Sequence, residues 1–174
     1  DRRILLNNLI SIAESEGFEE IILPSIEPSV VYTDKAGDEI LNQMYVFPDK
    51  KNRSLCLRPE VTATIQLIAN KHFKRSKDLK LWYFERCWRY EKPSKGRYRE
   101  FFQFGMEVIN PSNDDWKEKL IKIGEAMISL KTSNFITTNS VKRGLDYYIS
   151  NGFEIAIDKL GPQKQVLGGG AYKQ

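Results

Sequence analysis

Histidine and cysteine are both scarce in this 174-residue chain, and each scarcity excludes a class of chemistry. The one histidine, His72, falls at the end of an apolar-periodic stretch beside Lys71 and Lys74, which reads as a surface position. With no second histidine, a histidine-based catalytic triad is excluded. The two cysteines, Cys56 and Cys87, have no metal-ligand spacing, so free thiols in a reducing cytoplasm are the expectation. No apolar run approaches the roughly 20 residues needed to span a bilayer, and no secretory leader pattern opens the chain. Neither sign of charge dominates: 27 Lys and Arg against 23 Asp and Glu give +4, which is compatible with nucleic acid without establishing it. What is present, 41% hydrophobic and 29% charged residues, describes one ordinary globular domain with room for a real core.

Ile4, Leu5, Leu9, Ile12 and Ala13 recur at helical spacing up to Gly17, predicting a helix from Ile4 to Glu16. FEEIILPSIEP then reads as a strand stopped by Pro24 and Pro28, and the segment from Tyr32 to Gln43 as a loop or short helix. MYVFPDKKNRSLCLRP predicts a hairpin turning at Asp49, Lys50, Lys51 and Asn52. Pro59 suits the first turn of a helix whose apolar stripe is Val61, Ile65, Ile68 and Ala69. Glu60 and Thr62 stand at its start, as helix caps or as groups facing a ligand. From Asp114 to Leu130, Trp116, Leu120, Ile123, Met127 and Leu130 give one narrow buried stripe. KTSNFITTNS after it is polar and rich in Thr and Asn.

The stretch from Cys87 to Ile109 carries most of the information. It reads as two strands joined by a loop holding Lys92, Lys95, Arg97 and Arg99, suited to folding over a polyphosphate. Residues two apart on a strand share a face. Phe101, Gln103, Gly105 and Glu107 therefore line one side, while Phe102, Phe104, Met106 and Val108 form a buried apolar side. The first set suits a pocket wall: a ring to stack on, polar groups to orient a ligand, and at Gly105 a gap for its approach. Arg89 and Glu91 share a face by the same parity.

Arg-x-Glu, a basic loop and a second strand with Phe and Glu resemble motif two of the class II aminoacyl-tRNA synthetases. Three further segments resemble the histidyl branch of that family: LRPEVTATI (Leu57 to Ile65), VKRGLDYYISNGFE (Val141 to Glu154) and LGGGAYK (Leu167 to Lys173). The four segments stand in the family's order. The resemblance implies an α+β class II catalytic core, an antiparallel β-sheet flanked by helices, over residues 1–174. It implies a histidine–tRNA ligase: histidine and ATP give histidyl-adenylate, and the histidyl group passes to tRNA(His). The implied partners are those three substrates and a second copy of the chain. The homodimer would be built partly on the first helix and the strand ending at Pro24. Mg2+ would accompany ATP, with no protein ligands assigned.

Residue by residue, the resemblance gives Arg89 and Arg143 the catalytic roles, gripping the α-phosphate and substrate carboxylate from opposite sides. Glu91, Arg97 and Phe101, with the two arginines, would hold ATP, Phe101 stacking on adenine. Glu60, Val61, Thr62 and Gln103, again with Arg89 and Arg143, would hold the amino acid. Glu107, Tyr147, Tyr148 and Tyr172 would meet the imidazole, and Gly168, Gly169 and Gly170 would let the backbone approach the ligand. Ala171 departs from the arginine that many family members carry.

The spacing departs as well. Only 35 residues separate Glu107 from Arg143, where histidyl enzymes carry a longer helical insertion domain. The expectation is an interrupted sequence between about 130 and 142, with a true deletion as the other reading. The chain also stops at Gln174, before the family's motif three and anticodon-binding domain. Two alternatives from other functional classes remain: a non-catalytic paralogue serving as regulatory subunit of histidine biosynthesis, and a tRNA-sensing pseudo-synthetase domain.

Overall fold

The computed structural model describes residues 2–33, 38–142, 148–160 and 164–172. At its centre is an antiparallel hairpin of β5 (Leu79–Trp88) and β6 (Glu100–Ile109), paired in register from Leu79↔Ile109 to Trp88↔Glu100. Both strands alternate by period two, so the hairpin has two different apolar faces. Leu81, Tyr83, Cys87 and Ile109, with Phe101 against them, pack on α4 (Thr62–His72) through Val61, Ile65 and Ala69. On the opposite face Trp82, Phe84, Phe104, Met106 and Val108 meet α1 (Arg2–Ser15) and α5 (Trp116–Ser129). The parity expected for the second strand holds. Phe102, expected to be buried, lies at the hairpin's outer end with 36% of its surface exposed, stacked on Phe84 and covered by the guanidinium groups of Arg2 and Arg86.

α1 ends where expected: Gly17 takes φ +80°, and the amides of Gly17 and Phe18 close on the carbonyls of Glu14 and Ala13. The expected single strand after it is instead two. β1 (Glu19–Glu20) joins β5 in parallel, and β2 (Ile26–Pro28) leaves for a second sheet in the order β2-β4-β3. Between them Leu23 and Pro24 turn their carbonyls to a side chain, Arg58, which is why the ladder stops there. The predicted hairpin forms β3 (Val46–Pro48) and β4 (Ser54–Leu57). Its turn is closed by the Asp49 carboxylate, which accepts from the amides of Lys51 and Arg53, with Asn52 at φ 58°. Of the stretch expected to be loop or short helix, the described residues include the end of α2 (Val30–Thr33) and all of α3 (Asp38–Leu41).

α5 is buried over a wider arc than its expected stripe. Ile121 and Gly124 are buried too, and Leu130 at the end of that stripe is exposed. The extra arc receives a third sheet, β7 (Ile136–Val141), β8 (Gly152–Ala156) and β9 (Gln165–Gly169), in that order. A Cβ at Gly124 would lie 2.9 Å from Leu167 Cδ1, so this glycine sets how closely the sheet docks. The polar segment after α5 is strand β7, whose Thr and Asn side chains gave no apolar period to read. A 3-10 turn, Asp158–Leu160, lies between β8 and β9.

Candidate active site

The site is assembled on one buried cation that the sequence did not single out. Arg58 directly follows β4 and is fully buried. Its guanidinium donates to the carbonyls of Leu23 (3.1 Å), Pro24 (2.7 Å) and Arg86 (3.0 Å), and pairs with Glu85 at 2.7 Å. The other Glu85 oxygen accepts from the Leu23 amide at 2.8 Å. A buried charge needs this degree of pairing to be tolerated. The arrangement binds the β1–β2 connection, the end of β4 and strand β5 together and fixes the next residue, Pro59, whose carbonyl accepts from Arg89 Nε at 2.8 Å. Arg89 is thereby anchored through Nε, so its terminal nitrogens are the part left to meet a ligand. β5 stops at Trp88, so Arg89 and Glu91 stand just past the strand rather than on it.

At this end the Arg89 guanidinium lies 5.2 Å from the centre of the Phe101 ring, a cation–π contact. Beyond it, the basic loop turns at Gly96, φ +82°, with Ser94 and Arg97 bridged. Glu91 and Arg97, both expected to hold ATP, approach each other at 3.7 Å. Arg99 lies over the Tyr90 ring at 4.2 Å.

The opposite end is a carboxylate ringed by hydroxyls. Glu107 Oε1 accepts from Thr62 Oγ1 and Oε2 from the Tyr172 hydroxyl, each at 2.8 Å. Burial drives the Glu107 carboxyl up to about 7, against the Thr62, Tyr172 and Tyr83 hydroxyls, which favour its ionised form. Glu60 adds a second, nearby negative charge that pushes in the same direction as burial. Glu60 itself caps α4: its two oxygens accept from the amides of Thr62 (2.7 Å) and Ala63 (2.9 Å). The helix thus starts after Pro59 and Glu60, not at Pro59. Val61 is fully buried in the core between α4 and the hairpin. Gln103 Oε1 faces the buried Cys87 thiol at 3.2 Å, a thiol that burial pushes up to about 12.

Tyr148 and Tyr172 form an isolated antiparallel bridge that brings the end of β9 to Glu107. Two expected gaps are filled from within. A Cβ at Gly105 would fall 2.1 Å from Tyr83 Cζ, so that space belongs to the Tyr83 ring. Cβ atoms at Gly169 and Gly170 would fall 3.0 Å from Phe153 and 2.9 Å from Tyr148. Arg143 and Tyr147 lie outside the described residues. Tyr83 was missed because a tyrosine inside the apolar run LWYF looks like core, and its hydroxyl shows its partners only in three dimensions.

The histidyl-tRNA synthetase family model matches residues 1–136. Among curated proteins, the histidine–tRNA ligase of Methanosarcina acetivorans is 32% identical over 185 residues, covering 95% of this chain and 45% of that protein. That of Methanococcus vannielii is 42% identical over 167 residues, covering 95% and 36%. The chain thus spans less than half the length of these relatives. Among solved structures, apo Staphylococcus aureus histidyl-tRNA synthetase superposes with a TM-score of 0.77 at 25% identity, covering 98% of this chain and 56% of that one. A Bacillus halodurans ATP phosphoribosyltransferase regulatory subunit/histidyl-tRNA synthetase gives 0.66 at 23%, covering 78% and 35%, a likeness of fold.

Proposed function

Because the chain belongs to the histidyl-tRNA synthetase family, we propose that it is the core in which the full-length protein activates histidine with ATP and charges tRNA(His). The histidine carboxylate attacks the α-phosphorus of ATP and pyrophosphate leaves. The ribose hydroxyl at the tRNA terminus then attacks the adenylate's acyl carbon, forming an ester and releasing AMP. The attacking carboxylate is already ionised, so the first step needs no general base, and catalysis rests on in-line positioning and charge stabilisation. Arg89, held at Nε by Pro59, offers a forked donor to the α-phosphate. Arg143 would approach from the other side. Phe101 would stack on adenine once Arg89 moves to the phosphate, and Glu91 and Arg97 would part to hold the adenine and the γ-phosphate. Mg2+ would enter with ATP.

The observation that carries this reading is the pairing of two unlike ends on one strand. Phe101 beside Arg89 and Glu107 ringed by hydroxyls stand six residues apart on β6, roughly 20 Å at strand rise. That is room for a nucleotide joined to an amino acid. Glu107 with Tyr148 and Tyr172 suits an imidazole, which presents both a donor and an acceptor. Glu60, Thr62 and Gln103 would meet the ammonium group. Glu60 and Thr62 already hold α4 and Glu107, so the amino acid would join an existing network.

The assembly belongs to the same reading. Ile22 and Ile26 along the β1–β2 segment are 80% and 52% exposed, Val30 at the start of α2 is 60% exposed, and Ile4 on α1 is 61% exposed. A two-fold contact between identical patches would cover them. A cytoplasmic location follows from the same function. The test is calorimetric titration of the full-length protein with a non-hydrolysable histidyl-adenylate analogue. Binding far tighter than histidine alone is expected of the ligase. Binding of histidine with no gain from the adenylate would instead favour a regulatory paralogue.

A further inference from the structure

The end of the central hairpin remote from Arg89 carries cations that the proposed chemistry does not use. β5 runs for 10 residues from Leu79 to Trp88, roughly 30 Å at strand rise, so this end and Arg89 stand well apart. From Val61 to Lys77 the chain has no carboxylate, while Lys71, Lys74, Arg75 and Lys77 crowd together and are all exposed. Their four charges match the net charge of the whole chain, +4. Lys71 and His72 lie in the last turn of α4, where cations answer the partial negative charge of a helix end. Lys74, Arg75 and Lys77 lie beyond it, and among the described residues no carboxylate pairs with them. Asn110 fixes their turn. Its Nδ2 donates to the carbonyls of Phe73 (3.0 Å) and Ser76 (2.8 Å), and its own carbonyl accepts from the Asp78 amide at 3.0 Å. The nearest acids are engaged elsewhere: Asp78 accepts from the amide of Ser112 at 2.8 Å and from its hydroxyl, and Asp115 pairs with Lys119 at 2.8 Å. An open cleft lies between the turn and the segment after β6, lined by Lys74, Arg75 and Lys77 with Ser76, Asn110 and Ser112.

We propose that this turn is an RNA-contact surface separate from the catalytic site, holding the sugar–phosphate backbone of a folded RNA and taking no part in adenylate chemistry. The inference rests on the proposed use of RNA as a substrate. Lysine, arginine, serine and asparagine side chains are the groups that meet phosphate oxygens, and contacts of that kind position an RNA without reading its bases. No ring is offered for bases to stack on: Phe73, the aromatic of the turn, is half-buried beneath it. A bilayer surface is the other common polyanion, but it takes apolar side chains beside the cations. Among the described residues, none of the exposed large apolar side chains lies between residues 70 and 80 or between 109 and 115. A rigid cluster of unpaired cations without an apolar wedge suits an RNA backbone, where each neutralised phosphate releases counterions.

The test is the triple variant Lys74→Gln/Arg75→Gln/Lys77→Gln in the full-length protein, titrated against a labelled tRNA(His) transcript by fluorescence anisotropy across a salt series. Affinity should fall roughly tenfold or more at moderate salt, and the slope of log K against log salt should become shallower by about 2 to 3. Histidine-dependent pyrophosphate exchange, which needs no RNA, should match wild type. Lys74→Arg/Lys77→Arg, which keeps the charge, should bind the transcript as wild type does. An affinity and a salt slope both unchanged in the triple variant would overturn the proposal. So would an equal loss in the charge-preserving variant, which marks a change of shape rather than of charge. Binding to phosphatidylserine vesicles that the triple variant loses, with transcript binding intact, would assign the turn to a membrane and overturn it as well. If the wild type exchanged nothing with histidine, the functional reading would fall while the salt slopes still judged the turn.

Discussion

Arg58 and Glu85 form a buried ion pair, 2.7 Å between Nη2 and Oε2, on which the arginine proposed for phosphate binding is built. Arg58 is fully buried and Glu85 nearly so, and the pair makes five hydrogen bonds to backbone groups of Leu23, Pro24 and Arg86. Removing one partner strands the other charge, at a cost of about 3–5 kcal/mol, whereas replacing both with apolar residues costs far less. Arg58→Met and Glu85→Leu should each lower the unfolding free energy, read by urea denaturation, by that amount. The double variant Arg58→Met/Glu85→Leu should recover part of the loss. Equal, additive losses would show that the two side chains do not act as a pair.

Gly105→Ala tests the close packing at the centre of the hairpin. Its methyl group has no room unless the Tyr83 ring shifts, because the nearest ring atoms would lie 2.1 Å away. Overpacking of this kind costs typically 1–3 kcal/mol. Pairing it with Tyr83→Ala should restore stability relative to the sum of the two changes, as read by denaturant unfolding. Simple additivity would mean that the ring does not occupy that space.

Glu107 gives stability a distinct pH dependence. Its carboxyl is raised from 4.5 to about 7, so between those values the folded state holds a proton that the unfolded state has lost. Stability therefore falls as pH rises through this window and levels off above it, by on the order of 3 kcal/mol. Glu27, buried and bonded to Thr64, is raised too and contributes in the same direction. Glu107→Gln should flatten the fall without abolishing it. An unchanged slope would show that Glu107 titrates normally.

What the sequence disclosed and what it withheld follow a physical division. The two faces of β6, the stop of α1 at Gly17 and the Asp49 turn were legible because strand parity, glycine conformation and turn chemistry are local. Fold and family followed from four segments in order. Arg58 was quoted only as part of a motif, because nothing local distinguishes a buried arginine from a surface one, and Glu85 and Tyr83 acquire meaning only across strands. Gly105 was read as a gap for a ligand when it is a gap for Tyr83. The wider buried arc of α5 was hidden because its partner, the third sheet, includes the polar strand β7.

Arg89→Ala removes a preorganised donor from developing phosphate charge. Such a loss costs about a hundredfold to a thousandfold in rate. Arg143→Ala should behave alike, and Tyr148→Phe should instead mainly weaken histidine binding. Pre-steady-state formation of enzyme-bound adenylate separates these effects. A wild-type adenylation rate in the Arg89 variant would remove it from catalysis.

The most direct measurement is amino-acid-dependent exchange of labelled pyrophosphate into ATP by the full-length protein, run with each standard amino acid in turn. Exchange that requires histidine, and that Glu107→Gln suppresses by raising the histidine requirement rather than the ATP requirement, is the predicted result. No exchange with histidine under conditions where the protein is folded and binds ATP would contradict the assignment of this core to histidine activation.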